Sequence, residues 1–176
     1  MSADVTIEPA TSDDVEAVAE LWVRLARGQR AYDSYVRADA NRNRMRETLA
    51  AHQATDGLLV ARAGADDTLV GFVSFSLEHG TLELDATRGT ISNIYVEPTH
   101  RGRGIGAALL EAAEDALADR GAEVVILEVM ADNEAARRFY REQGFDAFRV
   151  TMERSLADRD EQAVQSENDT HSKEDE

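Results

Sequence analysis

A glycine-rich turn with two arginines is the segment of this sequence best suited to chemistry. Residues 101–107 read RGRGIGA and lie between an apolar stretch that ends at Val96 and an amphipathic helix predicted to begin at Ile105. Glycine permits backbone angles that turn successive N–H groups toward one point, and a helix N-terminus adds partial positive charge there. Arg101 and Arg103 contribute two full charges. These features are typical of a pyrophosphate-binding loop, and the alternative is a tight strand-to-helix turn with exposed arginines.

The same turn also matches the dinucleotide-binding pattern G-x-G-x-x-G/A, through Gly102, Gly104 and Ala107. In that interpretation Glu123 or Glu128 lies at about the right distance to bind a ribose. Two observations count against it. The turn follows strands that the sequence predicts to be antiparallel, and the residues after it are too few to complete a doubly wound domain.

The turn and a segment downstream of it together resemble the GCN5-related N-acetyltransferase (GNAT) superfamily. Arg101-x-x-Gly104-x-Gly106 is similar to the family motif Q/R-x-x-G-x-G/A, and residues 127–145 (LEVMADNEAARRFYREQGF) are similar to its second conserved block. The resemblance spans about residues 5–156. It implies an α/β (α+β) protein with the acyl-CoA N-acyltransferase fold: a mixed, mostly antiparallel, twisted sheet, splayed in the middle, with helices on both faces.

The resemblance also implies acetyl-CoA as the co-substrate, without a metal ion. The backbones of Ile94, Tyr95 and Val96 would pair with the pantetheine arm as if it were another strand, and Asn133 would lie beside that arm. The loop N–H groups would hold the pyrophosphate. The loop residues are Arg101, Gly102, Arg103, Gly104, Ile105, Gly106 and Ala107.

Two residues are candidates for proton transfer. By resemblance, Tyr140 would face the acetyl sulfur as general acid, and a tyrosine of pKa about 10 can donate to a thiolate whose conjugate acid is nearer 8.5. Taken alone, without the motif, Tyr140 is better explained as a core aromatic beside Phe139. Glu128 shares a strand face with Ile126 and Met130, where we expect a partly desolvated carboxylate that could act as general base. The alternatives for the base are a purely structural Glu128 and an ordered water.

The function implied is direct transfer of acetyl to a primary amine in a ternary complex. The acceptor could be a protein N-terminus, a lysine or a small molecule. Because the chain has no cysteine, a cysteinyl intermediate is excluded. The alternative function is a non-catalytic acyl-CoA-binding sensor or scaffold of the same fold. A homodimer is compatible with the resemblance.

The composition is strongly acidic. The 176 residues carry a formal net charge of −16, with a single lysine, Lys173. This charge disfavours binding to nucleic acids. It is typical of a protein adapted to high salt, and the alternative is an acidic face that attracts basic substrates. The sequence shows neither a membrane-spanning stretch nor a secretion signal, so we expect a cytoplasmic protein.

Hydrophobic periodicity predicts the elements that position these residues. We expect one domain over residues 1–156 and an acidic, disordered tail over residues 157–176. The run at 124–130 predicts a central strand covered on both faces. The predicted strands are 6–9, 58–63 paired with 68–77 as a hairpin, 90–96, 124–130 and 148–152, and residues 82–84 are either a short additional strand or a substrate-side excursion. The predicted helices are 12–27, 38–53, 105–120 and 135–143.

Overall fold

Five strands form one sheet in chain order. The computed structural model describes residues 4–80 and 82–157. The strands are β1 (Val5–Pro9), β2 (Leu58–Ala63), β3 (Thr68–Leu77), β4 (Arg88–Val96) and β5 (Val124–Leu127). Strands β1 to β4 pair antiparallel, whereas β5 pairs parallel to β4. The predicted mostly antiparallel sheet, including the β2–β3 hairpin at its predicted bounds, is confirmed.

Helices cover both faces of this sheet. They are α1 (Val15–Gln29), α2 (Arg42–Ala54), α3 (Ile105–Asp119) and α4 (Glu134–Glu142). The buried faces of α1 and α2 form one core with strand residues that include Phe72 and Tyr95. On the other face α3 lies so close that a Cβ on Gly89 would come 2.7 Å from the side chain of Leu117. None of the helices in the described ranges is long and apolar enough to span a bilayer.

The sheet is splayed between β4 and β5. Their ladder joins only Arg88–Ile91 to Val124–Leu127. The second half of β4, residues 92–96, pairs with β3 on one side and with no strand of the described chain on the other. The predicted splay is therefore confirmed, and it leaves an open backbone edge next to the glycine-rich turn.

The prediction for the fifth strand is wrong in two respects. It ends at Leu127 and not at Met130, because β4 diverges from it there and a strand without a ladder partner loses its backbone hydrogen bonds. It is also only half-buried, with Val124 44% exposed, so it is not a central strand covered on both faces. A short apolar run fits an edge strand as well as a central one.

The predicted strand at 148–152 does not form. The chain divides after Gln143 into two units, and the second has no strand in its described part, residues 144–157. There Phe148, Val150 and Met152 are 74%, 78% and 89% exposed. An alternating apolar pattern determines which side chains share a face of a strand. It does not provide a neighbouring strand with which the segment could form backbone hydrogen bonds. Residues 82–84 lie in a loop, so of the two alternatives for this segment the short strand is wrong. The predicted acidic tail lies, beyond residue 157, outside the described residues.

An ion-pair network fixes the entry to α1. The Asp14 carboxylate accepts from the Thr11 backbone N–H (2.8 Å) and from Arg62 of β2 (2.6 Å), and Arg62 also contacts Glu8 of β1 (2.5 Å). Burial by itself raises the pKa of Asp14. The hydrogen bonds from Thr11 and Arg62 outweigh that effect, so the pKa lies below its ordinary value of 3.8.

Replacing Asp14 with asparagine is therefore expected to lower the free energy of unfolding by about 1–3 kcal/mol at pH 7. A carboxylate whose pKa is lowered by folding stabilises the fold at pH values above the pKa that it has in the unfolded chain. This contribution is lost as the pH falls below 3.8 and through the pKa of the native state. Urea titrations at pH 7 and pH 3 should show the difference from the wild type shrinking at the lower pH. Asp13→Asn, at the exposed neighbour, is the control and should change stability little. An equal loss in both variants would contradict the assignment.

Candidate functional site

The glycine-rich turn joins β4 to α3 in an unusual backbone conformation. A short 3-10 turn (Pro98–His100) follows β4, and α3 begins at Ile105. Gly102 and Gly104 have φ angles of +74° and +80°. Residues with side chains rarely adopt this left-handed region, so glycine at both positions lets the chain curl immediately before the helix.

In the described chain, most backbone N–H groups of this turn donate no hydrogen bond. The first hydrogen bond of α3 runs from Ala108 N–H to the Gly104 carbonyl (3.0 Å). Within residues 4–80 and 82–157, no hydrogen bond is donated by the N–H groups of residues 102–107. Six such donors at a helix N-terminus, with left-handed glycines at 102 and 104, are typical of an anion-binding site. The loop residues predicted from Gly102 to Ala107 thus lie together in a geometry that can hold a diphosphate.

The open edge of β4 lies directly before this turn. The Glu97 N–H donates to the Val70 carbonyl of β3 (2.7 Å). Backbone groups alternate in an antiparallel ladder, so Tyr95 also directs its N–H and carbonyl to β3, whereas those of Ile94 and Val96 face the open edge. The backbone groups of Ile94 and Val96 are therefore the candidates for pairing with an added strand, whereas the backbone of Tyr95 is already directed to β3.

Helix α4 reaches the same corner. A Cβ placed on Gly106 would lie 3.5 Å from Cζ of Phe139 in α4 and 3.9 Å from Cγ2 of Val96 in β4. The structure thus brings the turn, the open edge and α4 together, although the turn and α4 are about 30 residues apart in sequence.

The predicted residues of α4 lie at its start and in its last turns. The Asn133 Oδ1 accepts from the Ala136 N–H (3.1 Å) and caps the helix. The rings of Tyr140 and Phe139 are 5.3 Å apart between centroids. Burial raises the pKa of the Tyr140 phenol to about 12. A phenol with this pKa keeps its proton throughout the neutral range, as a general acid must.

Glu128 is not in the environment that we expected. It is the first residue after β5 and is exposed, so the desolvation predicted from its shared face with Ile126 and Met130 is absent. The reason is that the strand ends at Leu127, where the sheet splays. Its assignment as general base stays a prediction, without support from burial.

Two structural features beside the turn, a β-bulge and an ion pair, had no signal in the sequence. Ser92 lies exposed in a β-bulge of β4, where the register with β3 shifts, and the neighbouring Asn93 Nδ2 donates to Ser74 Oγ (3.0 Å). Glu97, at the end of β4, is ion-paired with Arg24 of α1. An alternating strand pattern contains no signal for a bulge, and a pair 73 positions apart has no local signature.

The fold and the site together define a class of protein: an α/β domain in which a glycine-rich strand-to-helix turn lies beside an open sheet edge. The chain belongs to the acetyltransferase (GNAT) family, whose family model matches residues 17–145. The resemblance inferred from the two motifs is thereby confirmed, and the acyl-CoA N-acyltransferase fold with it.

Individual relatives agree with this membership. The chain is 38% identical over 148 residues to the N-alpha-acetyltransferase RimI of Mycobacterium tuberculosis, with 82% of each chain covered. It is 39% identical over 97 residues to a mycothiol acetyltransferase of Rhodococcus erythropolis, covering 54% of this chain but only 32% of that relative. Among solved structures, the PaiA N-acetyltransferase of Thermoplasma acidophilum in complex with coenzyme A has a TM-score of 0.67 at 19% identity, covering 84% of this chain and 93% of that one. At that identity the likeness shows the fold alone.

Proposed function

We propose that the protein transfers an acetyl group from acetyl-CoA to a primary amine. The observation that carries the proposal is the row of six unbonded N–H groups, residues 102–107, directly beside the open edge of β4. Family membership and two relatives named as acetyltransferases support the reaction class. A structural neighbour in complex with coenzyme A supports the choice of ligand.

The residues present fit this ligand in three ways. The N–H groups of the turn would hold the diphosphate, with Arg103 adding charge. The edge groups of Ile94 and Val96 would pair with the pantetheine amides, and Asn133 would lie beside that arm. The turn N–H groups donate no hydrogen bond within the described residues, and the backbone groups of Ile94 face the edge that no described strand covers.

The chemistry requires an unprotonated amine and a protonated leaving group. When bound, acetyl-CoA supplies an activated acetyl group, so that an N–C bond forms while a C–S bond breaks. Tyr140 holds a proton at its phenol oxygen for the departing sulfur, a role supported by its burial. Glu128 or an ordered water would accept the proton that the amine loses.

The need for a base depends on the acceptor. An α-amine of pKa about 7.7–8.0 is already partly neutral at pH 7, whereas a lysine of pKa about 10.4 is almost fully charged. Because the candidate base Glu128 is exposed, the site favours an acceptor amine with a lower pKa, such as a protein or small-molecule α-amine. The relative named N-alpha-acetyltransferase is compatible with this preference.

The decisive experiment follows free thiol release from acetyl-CoA in the presence of an amine panel, in molar KCl. Amine-dependent thiol release is the expected result. Tight CoA binding with no release for any acceptor would favour the sensor or scaffold function. A thermal shift with NAD and none with CoA would favour the dinucleotide interpretation instead.

Gly104→Ala is expected to weaken CoA binding about tenfold, because a side chain disfavours the left-handed angle that turns the amides toward the ligand. Gly121→Ala is the matched control. That glycine also has a positive φ (+94°) and open space around it, but it ends α3 on the far side from the turn. Calorimetric titration with CoA should separate the two variants, which should lose similar stability, about 1–2 kcal/mol. Equal CoA affinity in both would remove the turn from the binding site.

We further infer that residues 1–156 act as one catalytic domain in a salt-rich cytoplasm, with the acidic tail as an accessory. The net charge of −16 and the single lysine support the high-salt environment. A homodimer is compatible with the proposed reaction and can be tested by light scattering in molar KCl.

A further inference from the structure

The two arginines of the turn lie in different environments. The Arg101 Nε donates to the Val96 carbonyl (2.8 Å), and its guanidinium lies 5.5 Å from the centroid of the Tyr95 ring. A planar guanidinium can do both at once, because it donates in its plane while it stacks through its face. Arg103 is exposed and makes no hydrogen bond or ion pair with any residue in 4–80 or 82–157.

The partners of Arg101 are themselves held in place. Tyr95 is buried, and its hydroxyl donates to Glu97 Oε2 (3.5 Å). Glu97 in turn is ion-paired with Arg24 of α1. The series Arg24, Glu97, Tyr95, Arg101 and Val96 therefore connects α1 to the corner where β4 enters the turn. We name these five residues the corner network.

We propose that Arg101 is a positioning residue that fixes the corner between β4 and the turn, and that Arg103 is the arginine whose charge acts on the diphosphate. The inference rests on the proposed function for its ligand. It differs from the sequence interpretation, in which both arginines act as cations near the phosphates.

The proposal has a consequence for the open edge. The Val96 carbonyl already accepts a hydrogen bond from Arg101, so an added strand finds the Val96 N–H and both backbone groups of Ile94 still unpaired on that edge. Arg101 thereby determines where the unpaired part of the β4 edge ends before the turn. It therefore also determines the distance between the groups that pair with an added strand and the N–H groups that hold the diphosphate.

Lysine substitutions separate the two roles, because lysine keeps the charge but cannot stack and donate as a planar group. We expect Arg101→Lys and Arg101→Gln to weaken CoA binding alike, about five- to tenfold, as for loss of a charged hydrogen bond partner. Arg103→Lys should bind like the wild type. Arg103→Gln should bind more weakly at 0.1 M KCl and lose most of that defect at 1 M, where the screening length is about 3 Å. Arg44→Gln, which removes an exposed charge on α2, controls for net charge.

A second measurement needs no ligand. Hydrogen exchange of the hydrogen-bonded amides of Glu97 and His100 in the free protein should be at least about threefold faster in both Arg101 variants and unchanged in Arg103→Gln. The proposal is overturned if Arg101→Lys restores wild-type affinity, or if the exchange of these two amides does not change. Should the wild type fail to bind CoA at either salt concentration, the proposed function fails, while the exchange comparison still decides whether Arg101 positions the corner.

Discussion

Tyr140→Phe is expected to lower the turnover number by about 100-fold or more, the usual contribution of a positioned general acid. The substitution removes only the phenol oxygen and keeps the ring beside Phe139, so acetyl-CoA affinity should stay nearly intact. Steady-state kinetics with thiol detection gives the turnover, and calorimetric titration gives the affinity. Tyr35→Phe, at an exposed tyrosine in the loop between α1 and α2, is the control and should retain wild-type turnover.

The pH profile gives an independent check of this role. Burial raises the pKa of Tyr140 to about 12, so the phenol stays protonated as the pH rises through the range in which an amine acceptor loses its proton. The wild-type rate should therefore climb with pH and stay on a plateau to about pH 10, with no descending limb from Tyr140. A descending limb near pH 9 that disappears in Tyr140→Phe would show that the phenol ionises much earlier. Equal turnover of wild type and variant across the whole range would remove Tyr140 from the mechanism.

Local patterns in the sequence were sufficient to predict most of the fold. The hairpin between β2 and β3 follows from two β-rich runs separated by Gly64-Ala65-Asp66-Asp67, and α3 follows from its apolar spacing and the glycine at 121. The turn before α3 was predictable for the same reason, because its conformation depends on two glycines only two positions apart. Each of these features is determined by residues within about one helix length of each other.

The errors occur where structure depends on a partner distant in sequence. The length of β5 is set by where β4 diverges from it, and this divergence also leaves Glu128 exposed. Residues 148–152 alternate as a strand should, yet no ladder partner pairs with them in the described chain. The corner network was missed because Arg24 and Glu97 meet only after α1 packs on the sheet. Spacing within one segment carries no information about such contacts.

At the junction between α2 and β2, one added methyl group should be enough to disrupt the packing against β3. The Gly57 N–H donates to the His52 carbonyl (2.7 Å), and its own carbonyl accepts from the Phe75 N–H of β3 (2.9 Å). A Cβ at this position would overlap the Phe75 carbonyl oxygen and lie 3.4 Å from the His52 carbonyl oxygen. Both neighbours are backbone atoms, so neither can move aside by changing a rotamer.

Gly57→Ala is therefore expected to lower the free energy of unfolding by about 3 kcal/mol or more, since it combines overpacking with the loss of a buried hydrogen bond. Gly28→Ala is the matched control with the opposite expected sign. Gly28 lies in α1, and a Cβ on it would meet no atom within 4 Å, so alanine there should raise stability by about 0.5–1 kcal/mol through its helix propensity. Urea denaturation of both variants in the same high-salt buffer tests the pair. If the Gly57→Ala protein were as stable as the wild type, residue 57 could not lie as close to the Phe75 backbone of β3 as the structure places it. The close packing at the α2–β2 junction would then be wrong.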